Sequence, residues 1–165
     1  MEIEIRKRLD SDIFENLLSM LNRITLPKKK GTSNRLGFKD GSRFMNFGTT
    51  RGRYDGIVRD KTHIDKKYPL ISDELNKIGK LLDFSYNSIH VNNNVICPPH
   101  YDKNNNGPSL LISIGDYVGC NIVIEDIIYD AKYTPIIFNG SKLKHWNTDD
   151  LQGNKYSLVF YTAIF

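Results

Sequence analysis

Cysteine is nearly absent from this chain: its 165 residues include two, Cys97 and Cys120. Two thiols exclude a disulfide framework and a four-thiolate zinc site, and Cys97 reads most simply as a small, buried apolar residue. Long apolar runs are missing too, and no stretch approaches the roughly 20 residues needed to span a bilayer. The opening Met-Glu-Ile-Glu-Ile-Arg-Lys-Arg is charged and has no apolar signal segment. No internal repeat is present. These absences lead us to expect an intracellular protein, cytoplasmic or nuclear, that neither crosses nor docks on a membrane. With 39% hydrophobic and 25% charged residues, the composition suits one globular domain over 1–165 with a real core.

The residues that carry chemistry begin at His100-Tyr101-Asp102, directly after Cys97-Pro98-Pro99. On a strand, residues i and i+2 share a face, so His100 and Asp102 can present an imidazole and a carboxylate to one point. His145, 43 residues after Asp102, can bring a second imidazole from another strand. Two His and one carboxylate make a facial triad for non-haem Fe(II), with adjacent positions open for a bidentate cosubstrate and O₂. Lys155 and Ser157 are also i and i+2, on the segment Lys-Tyr-Ser-Leu-Val-Phe-Tyr-Thr-Ala-Ile-Phe. A cation and a hydroxyl on one strand face suit the distal carboxylate of 2-oxoglutarate. His63, among lysines, reads as a surface residue. His90 alternates with Ile89 and Val91 and can line a pocket, and Trp146 reads as core.

Charge is unevenly distributed. Residues 28–67 hold 12 Lys or Arg against 4 Asp or Glu, a local excess of +8 in a chain whose net charge is +4. Lys28-Lys29-Lys30, Arg35, Lys39, Arg43, Arg51, Arg53 and Arg59 are interspersed with glycines. Such a segment can follow the phosphate backbone of DNA or RNA, with Phe44, Phe47 and Tyr54 available to stack on bases.

Apolar periodicity predicts a helix over 12–24, capped by Asp12 and stopped before Pro27, and a second over 69–82. From residue 84 the pattern shortens to strands at 84–91, 95–98, 110–114, 121–125, 127–129, 135–138, 143–146 and 156–165. The expected fold is mainly β with flanking helices (α+β): a double-stranded β-helix, or jelly roll, over 84–165, preceded by helices and the basic segment in 1–83.

The stretch from Asn87 to Phe165 resembles the catalytic core of the 2-oxoglutarate/Fe(II)-dependent dioxygenases. Three runs are similar to the branch holding the TET and J-binding-protein nucleobase oxygenases: residues 99–109, Gly115-Asp116-Tyr117-Val118-Gly119, and residues 153–159. The chain departs from that branch at Lys155, where Arg is usual, and at Cys120, where a second Gly is common. Lysine pairs with a carboxylate as a point charge and lacks the planar fork of Arg.

The expected activity is therefore hydroxylation of a C–H bond, with His100, Asp102 and His145 holding Fe(II) and Lys155 and Ser157 receiving 2-oxoglutarate. A carboxylate at Asp102 fills the position a halide would need. The favoured substrate is a nucleobase methyl group in DNA or RNA, flipped out or single-stranded. The alternatives are a protein hydroxylase of prolyl or lysyl type and a non-catalytic nucleic-acid-binding module on the same scaffold.

Overall fold

Period-two alternation along the two longest strands organises the molecule, for which the computed structural model describes residues 2–28 and 42–165. Strands β6 (Ser109–Val118) and β11 (Gln152–Tyr161) form the main antiparallel ladder. β11 continues into β5 (Ser88–Asn93) and then β2 (Arg43–Gly48), while β6 continues into β9 (Ile136–Phe138) and β1 (Ile3–Ile5). The result is a six-stranded sheet in the order β1-β9-β6-β11-β5-β2. A smaller sheet, β10-β7-β8, is built from His145–Asn147, Ile122–Ile124 and Ile127–Tyr129. Both sheets are antiparallel, and the mainly β architecture with flanking helices is the expected one.

One face of the large sheet is apolar. Ile89, Val91, Leu110, Ile112, Leu158 and Phe160 pack there against Phe14, Leu17, Leu21, Leu75 and Ile78 from the helices. The intervening residues, including His90, Asn92, Ser113 and Ser157, face a cavity. The helix-side alternates are apolar, while the cavity-side alternates mix these polar groups with Leu111, Phe138 and Val159, which belong to or pack on a second apolar cluster.

The helices start and stop close to expectation, with one shift. A 3-10 turn, Ser11–Phe14, precedes α1 (Glu15–Asn22), and the cap is Asp10, whose carboxylate accepts from the Asp12 amide at 3.0 Å. The expected cap at Asp12 is therefore displaced by two residues, because the first turn tightens. A short α2 (His63–Lys67) was not legible in periodicity, since five residues give barely more than one turn. Its Thr62–Asp65 capping box is complete, and the Asp65 carboxylate also accepts from Gly48 N at 2.9 Å and Ser72 Oγ at 2.7 Å. This buried carboxylate ties α2, β2 and α3 (Pro69–Leu81) together. His63 is exposed, as expected.

Three differences in the strands have physical causes. The sheet is not confined to 84–165: its two edges, β1 and β2, come from before residue 84. Residues 95–98 do not form a strand, because Pro98 and Pro99 have no amide to continue a ladder. Cys97 is instead fixed by Asn147, whose side chain accepts from Cys97 N at 3.0 Å. Finally, β3 (Thr50–Arg51) and β4 (Val58–Arg59) form a hairpin inside the basic segment. Among the described residues, no helix is long and apolar enough to cross a membrane.

Candidate metal centre

Two histidines from distant parts of the chain are locked together by their own backbones. His100 N donates to His145 O at 3.0 Å, and His145 N donates to His100 O at 3.1 Å. The imidazole centroids are consequently 4.3 Å apart. Asp102, two residues on from His100, is anchored by its amide to Gly140 O at 2.9 Å. Its carboxylate lies 3.2 Å from His145 Nε2 and 3.4 Å from His100 Nε2. One donor atom from each of the three residues falls within 4.8 Å of the others.

The hydrogen bonds behind the rings decide what the front atoms can do. His100 Nδ1 meets Pro98 O at 2.7 Å, and His145 Nδ1 meets Leu143 O at 2.8 Å. A carbonyl can only accept, so both Nδ1 atoms carry hydrogen, and in the neutral rings both Nε2 atoms keep their lone pairs. Metal-binding histidines are oriented in this way. Two neutral imidazole nitrogens and one carboxylate, all converging, fit a divalent iron-type cation.

The electrostatics agree. Burial pushes the Asp102 carboxyl up, but the hydrogen bonds and charges of His100 and His145 outweigh it and hold Asp102 well below the ordinary carboxylate range. Burial pushes His145 down, and the adjoining Asp102 carboxylate more than reverses this, leaving it above its usual value. His145 is buried, whereas His100 and Asp102 are partly exposed, so the cluster opens on one side.

That side is a cavity of about 560 Å³, and all five residues singled out in the sequence line it. Lys155 is 4% exposed, with Nζ donating to Cys120 O at 2.6 Å and to Cys120 Sγ at 3.3 Å. Its ammonium also sits 5.5 Å from the Tyr117 ring centroid. Among the described residues, no carboxylate lies within ion-pair distance of it. Ser157 faces the same space, paired across the ladder with Ser113, and the two hydroxyls are 3.4 Å apart.

No protein-family model and no curated protein matches the chain. Solved structures do. NgTET1 in complex with 5mC DNA superposes with a TM-score of 0.62 at 15% identity, covering 98% of this chain and 72% of that one. A Pseudomonas putida prolyl-4-hydroxylase gives 0.56 at 10% identity, over 98% and 92% of the two chains. OsALKBH1 gives 0.53 at 14% identity, over 96% and 97%. The chain has the fold of the 2-oxoglutarate/Fe(II) oxygenases.

On this oxygenase fold, several residues depart from expectation. Phe47 is 1% exposed in the helix-side core and is not available to stack on a base. Cys97 is only half-buried and lines the cavity, so it is not a core thiol. Trp146 is half-buried and belongs to neither buried cluster. His90 does line the cavity, stacked on Phe44 at 5.0 Å with rings 12° apart, and stays outside the metal cluster. Ser113 and Tyr117 were missed as site residues. Their signal was a polar alternate in an otherwise apolar strand, Ser-Leu-Leu-Ile-Ser-Ile-Gly-Asp-Tyr.

The basic segment divides by role. Lys29, Lys30, Arg35 and Lys39 lie outside the described residues. Arg43 Nη1 donates to Leu26 O at 2.7 Å, and Arg59 pairs with Asp55 at 2.6 Å, so both serve the fold. Lys28, Arg51 and Arg53 are exposed, and Tyr54, between β3 and β4, is 97% exposed. Thr49 and Thr50, at the root of that hairpin, line the cavity.

Proposed function

We propose that this protein is a 2-oxoglutarate- and Fe(II)-dependent dioxygenase that hydroxylates a C–H bond, with a nucleobase of DNA or RNA as its substrate. The observation that carries the reading is the convergence of His100 Nε2, His145 Nε2 and the Asp102 carboxylate on a cavity that Lys155 also lines.

In this reading, His100, Asp102 and His145 hold the iron. Bound there with 2-oxoglutarate and O₂, it supplies the oxidising power for C–H hydroxylation, with succinate and CO₂ as the other products. The backbone carbonyls of Pro98 and Leu143 keep both imidazoles in the ligating tautomer. Lys155 provides a buried positive charge for the distal carboxylate of 2-oxoglutarate, and Ser157 adds a hydroxyl on the same face. The Tyr117 ring borders the same cavity 5.5 Å from that ammonium. The Tyr117 phenol is itself pushed upward by burial and stays protonated, so it adds no competing anion.

The nucleobase assignment rests on the other side of the cavity. The β3–β4 hairpin presents Arg51 and Arg53 for phosphates and Tyr54 for stacking, and its root opens into the site. NgTET1, of the same fold, has been solved with 5mC DNA. The test is succinate formation from 2-oxoglutarate with methylated oligonucleotides, single-stranded and duplex, against proline- and lysine-containing peptides. Stimulation by oligonucleotides is expected. Stimulation by peptides alone would replace the nucleobase reading with a protein hydroxylase.

A further inference from the structure

Cys120 occupies a conformation that its side chain disfavours. Its φ is +51°, in the left-handed region, where a Cβ crowds the backbone and glycine is the ordinary choice. The turn is held by Asp150, whose carboxylate accepts from Cys120 N at 2.7 Å. It delivers two groups to Lys155: the Cys120 carbonyl, 2.6 Å from Nζ, and the thiol sulfur, 3.3 Å from Nζ. A glycine would deliver the same carbonyl without the strain. The sulfur is therefore the part of this contact that anchoring Lys155 does not account for.

The geometry around the sulfur is defined. Its S–H points to Val95 O at 3.7 Å, which leaves the sulfur lone pairs toward the Lys155 nitrogen. The Tyr117 ring lies against the ammonium at 5.5 Å and limits its movement. Cys120 is 1% exposed and Lys155 4% exposed, yet both border the cavity, so a small oxidant that enters it can reach them.

We propose that Cys120 and Lys155 form a redox-sensitive pair that closes into a covalent sulfur–nitrogen bond when hydrogen peroxide enters the cavity. In the first step the Cys120 sulfur attacks peroxide, breaking the O–O bond. The sulfur is oxidised by two electrons to a sulfenic acid, and one water is released. In the second, Lys155 gives up its ammonium proton to solvent, and the free amine attacks the sulfenic sulfur. The S–N bond forms, the S–O bond breaks, and hydroxide leaves as a second water with a proton from the amine. Counted from the thiol and the free amine, the protein loses two hydrogens. A thiol reductant reverses the link by attacking sulfur and returning the amine. On the reading of Lys155 as the cosubstrate cation, the link removes that charge and weakens 2-oxoglutarate binding.

The experiment is intact-mass and peptide mapping of the metal-free full chain after peroxide treatment, using a digest that does not cut at lysine. A Cys97→Ser background excludes a Cys97–Cys120 disulfide, which has the same mass. If that variant does not fold, the parent chain serves, because the joined peptides identify the bond. The expected product is lighter by two hydrogens, joins the Cys120 peptide to the Lys155 peptide, and reverts with dithiothreitol. Cys120 recovered only as sulfinic or sulfonic acid, or unmodified, with Lys155 free in either case, overturns the proposal. A second measurement separates it from the functional reading: linked protein should bind 2-oxoglutarate roughly 10 to 150-fold more weakly and recover its affinity on reduction. A link that forms while 2-oxoglutarate binding is unchanged leaves the pair standing and removes Lys155 from the cosubstrate site.

Discussion

Gly140 leaves no room for a side chain beside Asp102: a Cβ at Gly140 would stand 2.4 Å from Asp102 Oδ2 and 3.0 Å from His145 Cε1. Gly140 O is also the acceptor for the Asp102 amide, so this residue positions the carboxylate from both sides. Titrated with Mn(II) as a redox-silent probe, the parent should bind one ion. His100→Ala, Asp102→Ala and His145→Ala should abolish binding. Gly140→Ala should weaken it by roughly 10 to 100-fold, the usual effect of disturbing a group that orients a ligand. Calorimetry or manganese EPR reads the result, and parent-like binding in any of the three ligand variants would remove that residue from the site.

Acidification should release the ion through His145. Protons and metal compete for His145 Nε2; burial pushes this group down, Asp102 more than reverses that, and its protonation therefore begins at a higher pH than for a free imidazole. Asp102 is held low and stays ionised throughout that range. Mn(II) affinity should therefore be constant at alkaline pH and fall by about tenfold per pH unit for each proton displaced once pH drops through the histidine range. A decline that starts only in the ordinary carboxylate range would place the titrating group elsewhere.

Lys155 carries a sharper expectation. A charged hydrogen bond contributes about 1.5 to 3 kcal/mol, so Lys155→Ala should weaken 2-oxoglutarate binding by roughly 10 to 150-fold while leaving Mn(II) affinity in place. Lys155→Arg tests whether the cavity accepts the longer head. An unchanged 2-oxoglutarate titration for Lys155→Ala would assign the cation elsewhere.

The hairpin can be examined apart from the metal. Neutralising Lys28, Arg51 and Arg53 should weaken oligonucleotide binding and flatten its salt dependence, since each phosphate contact releases counterions. Tyr54→Ala should cost about 1 to 3 kcal/mol of binding if the ring stacks on a base, with little change in salt slope. Fluorescence anisotropy at several salt concentrations separates the two effects. Equal binding by parent and variants would take the hairpin out of the interface.

His100 and Asp102 were picked out by strand alternation, but they meet by other means: His100 makes an isolated bridge to His145, and Asp102, outside any strand, is anchored by its amide to Gly140 O. Lys155 with Ser157 was legible because strand alternation is a local rule: both lie in the strand Gln152–Tyr161, and i and i+2 share the face that borders the cavity. The helix over Pro69–Leu81 was legible for the same kind of reason, a stripe repeated over more than three turns. What could not be read depends on contacts distant in sequence. The strand Ile3–Ile5 is three residues in a charged terminus and becomes a strand through Ile136–Phe138. Arg43–Gly48 sits in a Gly- and Arg-rich run, and its alternation has meaning only beside Ser88–Asn93. The same pairing brings Phe44 and His90 to one wall of the cavity. Residues 95–98 misled in the opposite direction, with β-type residues in a segment whose prolines prevent pairing.

Succinate release from 2-oxoglutarate by the purified full chain, with Fe(II) and O₂ and no second substrate, tests the central claim without presupposing what is hydroxylated. Slow uncoupled turnover is expected in the parent, strictly dependent on Fe(II), and absent in Asp102→Ala. No succinate at saturating Fe(II) and 2-oxoglutarate, or the same rate in Asp102→Ala as in the parent, would contradict the assignment of this cluster as the catalytic iron centre.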